Sequence, residues 1–263
     1  MKFKIYQVDA FAEQVFQGNP AAVLPLEYWL EDEVLQKIAL ENNLSETAFY
    51  VKDGDHFQLR WFTPTIEVDL CGHATLAAAH VLFFHEGFGK STLQFVSPRS
   101  GQLSVLKTAN KLTLDFPKDD VVSTELTEEL LAPFIPKPKE AFKGKTDYVL
   151  LFDNEEQIKN LEFDLQLISK IKARGVIVTA QGSKVDFVSR FFGPQVGVPE
   201  DPVTGSAHTT LTPIWSQKLN KRTLTAVQLS PRGGFLECTL KKNRVEISGR
   251  AVTYLQGEIF LEC

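Results

Sequence analysis

Cysteine is scarce in this chain. Cys71, Cys238 and Cys263 are scattered and odd in number, so they offer neither a disulfide framework nor a metal-ligand spacing. No metal and no other cofactor is expected, and a reducing cytoplasm is the expected address. A surplus of positive charge is also missing: 28 Lys and Arg stand against 33 Asp and Glu, a net charge of −5, which argues against nucleic acid as a partner. No run of about 18 apolar residues could cross a bilayer, so no membrane partner is expected. The opening "MKFKIYQVDAF" reads as a strand and not as a secretory leader. What remains is an ordinary globular balance, 43% hydrophobic and 23% charged over 263 residues. That is enough to bury a sizeable core in one large domain or two smaller ones.

Two stretches of the chain resemble each other. "RWFTPTIEV" from Arg60 is echoed by "RFFGPQVGV" from Arg190. The glycine of "DLCGHATL", Gly72, is echoed by Gly205 in "DPVTGSAHTTL", and "SPRSGQL" from Ser97 by "SPRGGFL" from Ser230. The three matches are in order and their offset is nearly constant, with a short insertion near Asp201. This predicts two related halves, 1–118 and 119–263, with the last strand, "GEIFLEC", either staying in the second half or crossing to the first.

Each half carries the same local pattern. "FQLRWFTP" and "VDFVSRFFGP" are rich in aromatic and β-branched residues, closed by proline, and read as strands. A glycine and a helix follow. "HATLAAAHVLFF" is apolar nearly all round, which predicts an enclosed helix. "SAHTTLTPIWSQKL" is similar, but Pro213 predicts a kink or an early end. Strand–turn–strand signals come next in both halves. Residues 27–43 place Leu30, Val34, Ile38 and Ala39 along one helical stripe, and residues 153–172 do so less clearly. The expected class is α+β, each half a curled, mostly antiparallel sheet wrapped round a central helix.

A helix N-terminus leaves backbone N–H groups unpaired and carries about half a positive charge, so it suits a carboxylate or a phosphate. The starts at Gly72–His73–Ala74 and Gly205–Ser206 are therefore candidate substrate-binding segments, expected to face one cleft between the halves. Few residues nearby can do chemistry. Glu46, in "NLSETAFYV", fits either a solvated strand end or a general acid–base, since a carboxylate in apolar surroundings is suited to proton transfer. His73 fits a helix-terminal structural bond or a donor to a substrate oxygen. Asp201 could cap the second helix start or act on a ligand, and Ser206 could cap or bind. Asn19, in "GNPAA", reads first as a turn residue.

The strings "VDAFAEQVFQGNPAAVL", "NLSETAFYV", "RWFTPTIEVDLCGHATLAAAHVL", "RFFGPQVGVPEDPVTGSAHTTL" and "LSPRGG" resemble the phenazine biosynthesis PhzF family along the whole chain. The resemblance implies the diaminopimelate-epimerase-like fold and cofactor-independent isomerisation of a small carboxylate, as in trans-2,3-dihydro-3-hydroxyanthranilate isomerase. It implies Glu46, His73 and Asp201 as catalytic residues and Ser206 as a binding residue; Gly72, Ala74 and Gly205, from the helix starts, and Asn19 are the other residues expected to bind substrate. It also implies a homodimer. Diaminopimelate epimerases place a cysteine before each helix glycine; here those positions hold Cys71 and Thr204. A Thr hydroxyl is a poor proton carrier, so two-thiol epimerisation is not expected, and Cys71 reads as a small packed hydrophobe. The alternatives are an epimerase or racemase of an amino-acid-like acid, using Glu46 with Cys71 or Asp201, and a silent ligand-binding protein on the same fold.

Overall fold

Strands dominate, as the β-branched and aromatic runs demand. The protein is described over residues 1–261 of a computed structural model, so Cys263 lies outside the described residues. The chain divides into two compact units, Met1–Asp115 with Ser248–Cys263, and Phe116–Ile247. The result is a sheet-rich α+β fold with few long helices.

In the first unit the strands Lys2–Ala10, Asn19–Leu26, Glu46–Asp53 and His56–Phe62 lie side by side; the middle pair is parallel and the outer pairs antiparallel. The last strand, Ala251–Phe260, runs antiparallel along the first, from Lys2↔Phe260 to Ala10↔Ala251, and so completes this unit's sheet. The helical stripe forms Asp32–Asn42, shorter than its apolar pattern; Leu30 lies ahead of the helix. Its Leu35, Ile38 and Ala39 pack on Ala22, Leu24, Leu26, Phe49 and Val51. Side chains alternate along a strand, so Asn19, Ala21 and Val23, like Glu46, Ala48 and Tyr50, project from the opposite face. There the helix Gly72–Phe84 lies, buried along nearly its whole length. This alternation delivers Asn19 and Glu46 to the start of that helix.

In the second unit Asp147–Leu151 pairs parallel with Gly175–Gln181, which pairs antiparallel with Phe187–Gly193. The helix Gly205–Leu219 packs Ala207, Leu211, Ile214 and Trp215 against Ile177, Phe187, Phe191 and Leu224. Trp215 stacks on Phe187 at 5.8 Å and donates its indole N–H to Thr179 Oγ1 at 3.0 Å.

Two sequence expectations fail here. Of the two outcomes expected at Pro213, the early end is not found, for the helix continues to Leu219. Proline removes the N–H that would have bonded the Thr209 carbonyl, and the Asp119 backbone N–H occupies that carbonyl instead, at 3.4 Å. The Asp119 side chain holds this patch in place by accepting from Thr210 Oγ1. Residues 153–172 are not one helix but two short ones, Glu155–Lys159 and Leu165–Ile168. Between them Glu162–Phe163 pairs with Phe134–Ile135. Asn154 and Asp164 each cap a separate start with their side chains, which is why the helical period breaks.

Candidate active site

The start of the helix Gly72–Phe84 carries the cluster. His73 Nε2 lies 3.0 Å from Glu46 Oε2, with the side chains 5% and 16% exposed. His73 Nδ1 lies 3.2 Å from Asn19 Nδ2 and 3.4 Å from Cys71 Sγ. The Glu46–His73 approach is at ion-pair distance but does not meet hydrogen-bond geometry, so Oε2 is buried without a hydrogen-bond partner among the described residues.

Charge follows from these contacts. Burial opposes the imidazolium of His73, but the Cys71 sulfur and the Glu46 carboxylate outweigh it and hold the ring well above its ordinary range. Burial pushes the Cys71 thiol up to about 11; the Glu46 charge adds to the push and His73 opposes it. A thiol at that value is a weak nucleophile at neutral pH. Cys71 is buried, as its sequence position suggested, and its sulfur also touches His73. Asn19 is likewise more than a turn residue. It enters the sheet directly after Gly18 (φ 65°), and its amide, turned one way or the other, satisfies neutral or charged His73. A cavity of about 890 Å³ lies elsewhere in this unit, among Lys4, Tyr50, Phe57, Glu86 and Lys90; none of the four cluster residues lines it.

The second unit builds its own helix start. Thr204 Oγ1 donates to Asp201 Oδ2 at 2.6 Å, and the Thr204 N–H donates to Gln228 Oε1 at 2.9 Å. Gln228 Nε2 donates to the Asp201 carbonyl at 2.7 Å. Asp201 thus fixes the residue before Gly205, and Thr204 itself makes no side-chain cap. Ser206 Oγ accepts from the Arg174 guanidinium at 3.0 Å, leaving its own hydrogen available to a ligand. Arg174 is held by Asp147, with Nε on Oδ1 at 2.9 Å and a second bond to Oδ2. Sequence reading missed Arg174, Asp147 and Gln228. Asp147 and Arg174 come together because Asp147 is in register with Gly175 across a parallel pair, and no local pattern announces that pairing. His208, without a nameable partner in sequence, donates Nδ1–H to the Thr204 carbonyl at 2.9 Å.

A sheet-rich chain with buried glycine-led helices and this cluster has the diaminopimelate-epimerase-like fold. A probable proline racemase from Agrobacterium radiobacter shares it, with a TM-score of 0.65 at 9% identity over 99% of this chain and 93% of that one. The family follows from the sequence itself: residues 8–257 match the family described as phenazine biosynthesis-like protein (PhzC-PhzF), and this chain belongs to it. A protein of Pseudomonas aeruginosa described as an uncharacterized isomerase is 50% identical over 262 residues, covering 99% of this chain and all of the relative. The crystal structure of a PhzF-family protein from Enterococcus faecalis superposes with a TM-score of 0.97 at 49% identity, covering 99% of this chain and all of that one. Among the described residues no helix is long and apolar enough to cross a membrane.

Proposed function

We propose that this protein is a cofactor-independent isomerase that moves a proton on a small carboxylate substrate, in the manner of trans-2,3-dihydro-3-hydroxyanthranilate isomerisation. The observation that carries the reading is the enclosed Glu46–His73 pair, with Glu46 Oε2 3.0 Å from His73 Nε2. Glu46 takes a proton from an activated carbon and returns it elsewhere on the same face. His73, held charged beside it, stabilises the carboxylate while the proton is away and is fixed by Asn19. The backbone N–H groups at Gly72–Ala74 receive the substrate carboxylate. The relatives' description as isomerases supports the reaction class.

The test is solvent deuterium entry, followed by NMR, with dihydro-hydroxyanthranilate and a panel of cyclic and amino-acid carboxylates. Wild type is expected to place deuterium on a carbon of one compound, and Glu46→Gln to lower that rate by about 10²–10⁴-fold while keeping the fold. Exchange undiminished in Glu46→Gln overturns the assignment. The position of Cys71 beside His73 favours one second reading, epimerisation with Glu46 and the thiol as paired acid–bases. A thiol at about 11 is a poor base at neutral pH, so Cys71→Ser is expected to retain exchange. Loss of exchange in a folded Cys71→Ser protein would favour the epimerase.

A further inference from the structure

The cavity of about 890 Å³ in the first unit has the size of a small-ligand pocket, and the proton transfer proposed above makes no use of it. It lies toward the far end of the helix Gly72–Phe84: Leu82 lines it, about 13 Å along the helix axis from His73. Phe57, Leu82 and Phe88 give it apolar walls, with Phe57 meeting Phe88 edge-on at 5.8 Å. Tyr50 lines it too, projecting from the sheet face that carries this helix. It is 4% exposed, and its hydroxyl has no hydrogen-bond partner among the described residues. Burial, then the charge of Glu86 and the presence of Tyr6, push that hydroxyl above its ordinary range, so it keeps its proton and acts as a donor. Glu86 also lines the cavity. Its Oε1 accepts from Tyr6 at 2.8 Å and from Lys4 at 3.1 Å, and Oε2 takes no bond among the described residues. The cavity thus offers one donor hydroxyl and one open carboxylate oxygen, a pair that a phenol satisfies by accepting from Tyr50 and donating to Glu86.

The charges around the cavity are mostly matched: Lys2 pairs with Glu258, Lys4 with Glu86 and Lys90 with Asp55. Glu27 and Lys52 differ. They directly follow the parallel pair Leu26↔Val51, so they are neighbours on adjoining strands, and both are exposed at the cavity. Neither has an ion-pair partner among the described residues, which leaves one carboxylate and one ammonium side by side. We infer that this cavity is a binding site for a free phenolic α-amino acid, a tyrosine-type ligand whose hydroxyl meets Tyr50 and Glu86 while its ammonium and carboxylate meet Glu27 and Lys52. The aromatic ring lies against Phe57, Leu82 and Phe88. The site stands apart from the Glu46–His73 pair and does not depend on the function proposed above.

The test is titration of the intact protein with L-tyrosine, L-phenylalanine and tyramine, followed by ligand-observed NMR. L-Tyrosine is expected to bind roughly tenfold more tightly than L-phenylalanine, about what one net hydrogen bond supplies. Tyramine, which has no carboxylate for Lys52, is expected to bind more weakly than L-tyrosine. Tyr50→Phe removes only an unpartnered hydroxyl, so it keeps the fold, and it is expected to bring L-tyrosine down to the affinity of L-phenylalanine. Lys52→Gln is expected to weaken L-tyrosine and leave tyramine unchanged. Glu46→Gln, outside the cavity, is expected to leave L-tyrosine binding as it is. No saturable binding of L-tyrosine at millimolar concentration, a preference over L-phenylalanine that survives Tyr50→Phe, or tyramine binding as tightly as L-tyrosine overturns the proposal. So does loss of binding in Glu46→Gln, which would put the ligand at the helix start instead. None of these outcomes bears on deuterium exchange, which tests the isomerase reading separately.

Discussion

Lowering the pH from 6.5 to 4 is expected to remove about 5 kcal/mol of folding stability through two buried histidines. Burial holds His208 at about 4, against the bond to the Thr204 carbonyl that favours its charged form. Burial, with help from the neighbouring His85, brings His80 to about 4 as well. The unfolded chain binds these protons near 6.5. Between 6.5 and 4 the unfolded state therefore holds more protons, and stability falls as pH falls. Each group contributes about 2–3 kcal/mol, at up to about 1.4 kcal/mol per pH unit. Above 6.5 both rings are neutral in either state and nothing is lost. His73 has the opposite sign: held above its ordinary range, it gives a contribution fully present throughout this window. Together the two losses rival the whole stability of an ordinary domain.

Urea midpoints measured from pH 7 down to pH 4 check this. The wild type is expected to lose stability steeply from about pH 6.5, before the bulk of the carboxylates titrate. A His80→Asn, His208→Asn double variant is expected to start less stable and to show a much flatter slope, since an amide can keep the donor to the Thr204 carbonyl but cannot take a proton. A wild-type midpoint unchanged between pH 6.5 and 4.5 would refute the assignment.

Gly18→Ala is expected to cost roughly 3 kcal/mol or more and to disturb the site as well, since it combines two of the mechanisms behind large mutational losses. Gly18 has φ 65°, and a Cβ there would sit 2.1 Å from the Ala10 carbonyl oxygen. The backbone conformation alone costs an alanine about 1–2 kcal/mol. The clash is with main chain of the neighbouring strand, so no rotamer relieves it, and Asn19, the next residue, must shift off His73. Gly54 is the control: its φ is 58° but nothing lies within 4 Å of an added Cβ. Gly54→Ala is expected to cost about 1 kcal/mol and leave the site intact. Equal losses in the two variants, by urea unfolding, would show that close packing at Gly18 contributes nothing.

Much of this was legible beforehand, and the reason is local physics. The all-apolar run after Gly72 predicts a buried helix, and Gly72–Phe84 is one. The stripe through Ile38 and Ala39 predicts an amphipathic helix, and the aromatic runs before Pro64 and Pro194 predict strands; all are found. The motif residues Glu46 and His73, far apart in sequence, do meet. Errors arose where a distant partner overrules a local rule. Pro213 stays inside a helix because Asp119 occupies the carbonyl that it leaves open, and residues 153–172 split because Glu162–Phe163 finds a strand partner at Phe134–Ile135.

By itself, then, the sequence determined the α+β class, the family, the glycine-led helix starts and the acid–base candidates, because side-chain period, glycine and proline conformation and contiguous motifs are properties of neighbouring residues. The tertiary structure alone decided that Asn19 serves His73, that Cys71 and Glu46 both approach the His73 ring, that Arg174 reaches Ser206 from Asp147, and that the last strand runs along the first. Those are matters of strand register and of which face each alternating side chain takes, and register is set by packing across the whole sheet.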